Sequence, residues 1–182
     1  MPHSRFLGIA LVLLILSACQ SVIVDEPIGE IPCVLDPEEW EGAWLLDHEI
    51  MMVDVLDAEN GVLRISGIEK GQDGDLRVET MTIYVRDGGA WLLGSMGDPE
   101  GEDPGYLWAA AKRQDDQLIL FEPDSLKFRA LVEEGILPGW LDGNDVHLGP
   151  LEPEHVALIL SGEHGFLFDI DDRIGVAIRV TH

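Results

Sequence analysis

The sequence predicts a mainly β domain, an antiparallel meander closing into a barrel, with two short helices near its C-terminal end. Three observations predict it. From Trp40 onward, short apolar segments are separated by turn residues at intervals of about ten positions. The loops between them are too short for a parallel crossover, so sequential strands are antiparallel neighbours. The chain also ends on an apolar segment that can pair with the first strand and remove the sheet edges.

The predicted strands, in order, are Trp40 to Leu46, Ile50 to Leu56, Val62 to Ile68, Leu76 to Arg86, Ala90 to Met96, Tyr106 to Lys112 and Gln117 to Phe121. Asn60-Gly61 and Gly88-Gly89 tolerate positive φ, and Asp115-Asp116 suits a hairpin tip. A first helix begins at Asp124-Ser125, which can cap it, carries Leu126, Ala130 and Leu131, and stops at Gly135 with Pro138 beyond. A second has Pro153 in its first turn, between Glu152 and Glu154, runs through Val156, Ile159 and Leu160, and stops at Ser161-Gly162. Apolar segments Gly165 to Ile170 and Ile174 to Val180 finish the chain. On Leu76 to Val85 both alternate sets are mixed, Leu76, Val78, Thr80, Thr82 and Tyr84 against Arg77, Glu79, Met81, Ile83 and Val85, so the pattern leaves the inner face open.

The N-terminus has a different character. Arg5 is the only formally charged side chain before residue 25 and precedes an apolar run from Phe6 to Leu16, the layout of a secretory signal. As a helix that run spans about 16 Å, half of a hydrocarbon core of ~30 Å, so it targets rather than anchors. It ends in Leu16-Ser17-Ala18-Cys19, which resembles the lipobox of bacterial lipoproteins at all four positions. The resemblance implies removal of residues 1–18, a thioether between Cys19 and a diacylglycerol, and often a further acyl chain on the new amine. Several chains exceed the two signals that stable anchoring needs. Gln20, rather than Asp, follows the cysteine, which by the same resemblance implies the outer membrane, facing the periplasm.

Residues 19–36 read as a flexible tether, punctuated by Asp25, Glu26, Pro27, Gly29, Glu30 and Pro32, with a root-mean-square reach of roughly 20 Å. The single folded domain is then 37–182. Lipidation of Cys19 leaves Cys33 without a disulfide partner, either a buried small hydrophobe or a free thiol.

Composition narrows the function. With 11 Lys and Arg against 35 Asp and Glu, the formal charge is -24, and only Lys112-Arg113 places two bases together. No surface exists to neutralise a row of phosphates, which excludes nucleic-acid binding. Anionic headgroups repel the same surface, so membrane attachment falls to the lipid.

Gly42-Ala43-Trp44 resembles the G-x-W of the first strand of lipocalins, small barrels in which that tryptophan plugs one end beneath an arginine from the last strand; Arg179 falls where that arginine would be. The resemblance implies Trp44 and Arg179 as a barrel-end pair, a guanidinium stacked on an indole. The alternative is a plain core tryptophan and a solvated arginine.

Catalytic constellations are poor. Gly94-Ser95-Met96-Gly97 lacks the first glycine of a nucleophile elbow, since Leu93 stands there. His48, His147, His155, His164 and His182 show no metal-binding spacing, and His155 suits a surface or capping role. Asp98-Pro99-Glu100-Gly101-Glu102-Asp103 and Asp169-Ile170-Asp171-Asp172 are acidic loops, read as solvated, with calcium the alternative. No enzyme, cofactor or metal site is expected. The sequence thus points to a lipid-anchored envelope lipoprotein whose partner is an apolar or amphipathic small molecule inside the barrel. The alternative is a non-catalytic interaction or scaffolding lipoprotein that binds another envelope component.

Overall fold

A computed structural model of the chain describes residues 20–46, 48–70, 75–97, 105–169 and 175–180. The signal segment, Cys19, the acidic run 98–103, residues 170–172 and His182 lie outside the described residues.

Seven strands form the meander: β2 (Gly42–Leu46), β3 (Glu49–Asp57), β4 (Val62–Lys70), β5 (Leu76–Asp87), β6 (Leu92–Met96), β7 (Tyr106–Gln114) and β8 (Gln117–Phe121). Each pairs antiparallel with the next, as short loops require. The last strand, β11 (Gly175–Arg179), pairs antiparallel with both β8 and β2, which closes an eight-stranded barrel. The expected closure of the last segment on the first is therefore what the chain does.

Three further strands extend the sheet. β1 (Val22–Val24) pairs antiparallel with the first half of β7 and parallel with β10 (Asp145–Leu148), which forms a hairpin with β9 (Gly139–Asp142). The helices are α1 (Pro37–Trp40), α2 (Ser125–Glu133) and α3 (Pro153–Ser161). Asp124 caps α2 by accepting from the backbone N–H of Leu126 and Lys127, and Gly162 closes α3 at φ 73°.

The structure corrects several expectations. Segment 20–36 is not a flexible tether: Val22, Val24, Ile28 and Leu35 are buried, and the Ile28 N–H donates to the Ser95 hydroxyl at 3.0 Å. The domain accordingly begins at least at residue 20 rather than at 37. Trp40 ends a helical turn instead of starting a strand, because Asp36 caps it and Pro37 opens it. The hairpin β9–β10 lies between the two expected helices, turning at Gly143 with φ 58°. Of Gly165 to Ile170, the described part is no strand; Phe168 makes a single bridge to Pro123.

Two apolar cores result, one on each side of the barrel wall. The inner core holds Trp40, Trp44, Leu46, Met51, Val53, Leu63, Val85 and Ala177. The outer core packs Leu93, Trp108 and Ala110 from the outer faces of β6 and β7 against Val22, Val146, Leu148, Phe128, Leu131, Ile159 and Phe168. Only part of the outer wall is covered this way. On β3, β4 and β5 outward residues Ile50, Met52, Ile68, Leu76 and Val78 are exposed.

Candidate functional site in the barrel interior

Side chains of a strand alternate between faces, so every second residue of the barrel points inward. On β6 these are Leu92, Gly94 and Met96; on β7 they are Leu107, Ala109 and Ala111, directly opposite in register. On β5 the inner set is Met81, Ile83 and Val85, which settles the face the sequence left open. Small residues cluster where β6 meets β7: Gly94 stands opposite Ala109. Where Gly and Ala replace larger groups, the wall leaves room, and the interior holds a cavity of about 190 Å³.

Every residue lining this cavity is apolar, the indoles of Trp40 and Trp44 being the most polar groups, and the exposed wall is almost wholly carbon and sulfur. An apolar cavity of ~150 Å³ stays dry and takes up benzene, so a larger one of the same character suits a hydrocarbon group. Three of the five methionines of the chain, Met51, Met81 and Met96, contribute to the wall. Their unbranched thioethers adapt to irregular ligand shapes.

One end of the barrel is plugged. The Trp40 and Trp44 rings lie 6.3 Å apart between centroids, and the Trp44 indole N–H donates to the Trp40 carbonyl at 2.8 Å. Glu39 of α1 pairs with Arg113 of β7 at 2.7 Å, which ties the plug to the wall. Arg179 stands directly opposite Trp44 in the β2–β11 register, and its guanidinium donates to the Glu41 carbonyl at 3.1 Å. Trp44 and Arg179 are thus register neighbours at the plugged end, but the ring partner of Trp44 is Trp40, and among the described residues no guanidinium stacks on the Trp44 indole. The strand pattern does not single out Trp40 as a plug residue; its signal is the Asp36-Pro37 helix start. The opposite end of the cavity is bordered by Leu46, Met96 and Leu107, at the strand ends remote from α1.

The remaining candidates have structural partners. Ser95 is fully buried in the outer core and accepts from Ile28 N–H, so it fastens the N-terminal segment. His155 Nδ1 accepts from the Glu152 N–H at 3.0 Å and so caps α3, while His147 stacks on Trp140 at 5.0 Å. Cys33 is half-buried; burial, with a contribution from Asp87, pushes its thiol pKa above the ordinary 9.0. Asp57 is held below its ordinary 3.8, chiefly by the hydrogen bond from the Asn60 side chain. Among the described residues, no three His, Cys, Asp or Glu group as a metal site. In comparisons with known proteins the chain matches no family model, no curated protein and no solved structure.

Proposed function

We propose that the protein is a lipid-anchored bacterial envelope lipoprotein whose barrel binds an apolar or amphipathic small molecule. The observation that carries the binding reading is the cavity of about 190 Å³ with a wholly apolar lining. An eight-stranded barrel is just wide enough either to be filled by its own side chains or to hold one ligand. Here Gly94, Ala109, Ala111 and Ala177 leave the interior short of filled. The plugged end gives the cavity a floor, and an amphipathic ligand would keep its polar group at the other end.

The anchor part of the proposal rests on Leu16-Ser17-Ala18-Cys19 after its apolar run, and the outer membrane facing the periplasm on Gln20. Displacement of a fluorescent apolar dye from the purified protein by alkanes and alkyl alcohols of graded length tests the binding. Saturable displacement with an optimum chain length supports the reading, and failure of the dye to bind removes it. A second reading, an interaction lipoprotein that binds another envelope component, is favoured by the uncovered apolar residues Ile50, Met52, Ile68 and Val78 on the outer wall.

A further inference from the structure

We infer that the protein lies flush on its membrane, with the first turn of α2 against the lipid headgroups and the β3 wall of the barrel facing away. The inference rests on the lipoprotein reading of Cys19 and concerns what that anchor does once attached to this fold.

The chain is fastened to the folded body from the first residues after Cys19. Gln20 Oε1 accepts from the Ser125 hydroxyl at 3.1 Å, and the Ser21 N–H donates to Asp145 Oδ1 at 2.8 Å. The Val146 N–H donates to the Ser21 carbonyl, and from Val22 the chain is a strand paired on both sides. A segment held in this way cannot serve as a spacer. One peptide unit of about 3.8 Å separates the Cα of Cys19 from that of Gln20, so acyl chains on Cys19 would enter the bilayer next to Ser125.

The surface at that point suits a headgroup layer. Leu126, immediately after Ser125, is 64% exposed although apolar, and nothing among the described residues covers it. Lys127 beside it forms an ion pair with Asp124 at 2.8 Å, so this turn carries little of the negative charge that dominates the chain. An apolar side chain beside a locally neutralised turn is compatible with the interface, whereas most of this acidic surface is not. Topology then fixes the opposite wall. The anchored strand β1 joins the barrel at β7, and β3 is four strands away around a ring of eight, so the outward Met52 of β3 points away from the bilayer.

The test uses the full lipidated protein, extracted from its membrane and reconstituted into phosphatidylcholine vesicles. Nitroxide labels are placed at Leu126→Cys or Met52→Cys in a Cys33→Ala background, and their access to a water-soluble relaxation agent is compared with access to oxygen. The expected result is loss of access to the aqueous agent at position 126 on vesicles, with position 52 unchanged. Equal aqueous access at both positions, or shielding at 52 alone, overturns the inference. The same comparison with Leu126→Trp and Met52→Trp and brominated lipids as quenchers leaves Cys33 in place, should its replacement disturb folding. The intact mass is recorded first: an unacylated chain overturns the lipoprotein reading and this inference with it, whereas an acylated chain with both labels in water overturns the docking alone.

Discussion

Replacing Gly94 by leucine should stabilise the protein and abolish ligand binding. A Cβ added at Gly94 points into the cavity, and its nearest neighbour is Ile83 Cγ2 at 3.6 Å, an ordinary contact. The backbone there is ordinary strand, so the substitution introduces no left-handed strain. Removing a glycine from a strand interior gains roughly 0.5–1 kcal/mol. Burying a leucine side chain gains roughly 1.5–3 kcal/mol, less about 0.5–1 kcal/mol of side-chain entropy. The net is a stabilisation of about 1–3 kcal/mol, and at 2–4 °C per kcal/mol for a domain of this size Tm rises by roughly 2–12 °C. Wild-type protein saturated with an apolar ligand at about 100 times Kd gains about 2.7 kcal/mol, while the filled variant gains nothing. Differential scanning calorimetry with and without the ligand reads both effects. A loss of more than about 1 kcal/mol on substitution would mean that the interior is already packed, since overfilling a core costs about 1–3 kcal/mol. An unchanged ligand shift in the variant would place the ligand elsewhere.

Other consequences can be measured on the same preparation. Trp44→Phe removes the buried N–H that satisfies the Trp40 carbonyl and should lower stability by about 1–3 kcal/mol in urea unfolding; an unchanged midpoint would mean that the plug does not depend on that bond. A chain starting at residue 37 loses buried Val22, Val24, Ile28 and Leu35, so circular dichroism should show it largely unfolded at 37 °C, and a cooperative transition like that of the longer chain would contradict the structural role of the segment. Cys33 should react with iodoacetamide at pH 8 more slowly than a free thiol, because burial first and Asp87 second raise its pKa above 9.0. The sign for stability follows: the folded state favours the thiol, so this contribution is present below the unfolded pKa and lost as pH rises through the folded one, and Cys33→Ala should flatten that alkaline loss. Asp57, depressed by Asn60, acts the other way: its contribution is present above 3.8 and lost as pH falls through the lowered folded value, and Asn60→Ala should shift the Asp57 titration upward by NMR.

The meander was legible because its turns carry their own chemistry. Asn60-Gly61 and Asp115-Asp116 announce reversals, and Gly61 takes φ 67° and Asp115 φ 53° as such turns require. Closure through β11 was legible from the apolar run at the end of the sequence. What the pattern concealed was the inner face, and the reason is physical. β6 and β7 have apolar cores on both sides, so Leu93 and Ala110 look no different from Leu92 and Ala111. On β5 the outward Leu76 and Val78 are apolar yet exposed, while Arg77 and Glu79 occupy the inner parity toward the hairpin end. Alternation therefore carries no contrast. Segment 20–36 misled for another reason: Pro27, Gly29 and Pro32 are typical of linkers, but this stretch is pinned by the long-range bonds of Ile28 to Ser95 and Ser21 to Asp145, which local composition does not encode. Of the cavity wall, the sequence singled out Trp44; Trp40, Gly94 and the three wall methionines needed the register.

The central claim is that the barrel interior receives a small apolar molecule, and a native mass spectrum of the protein extracted gently from its own membrane tests it most directly. The account predicts an acylated chain carrying one discrete small-molecule adduct, present on the wild type and missing from Gly94→Leu. An acylated chain free of adduct that also fails to take up added alkyl alcohols, or one found only in a stoichiometric protein complex, would contradict it and favour the outer wall as the working surface.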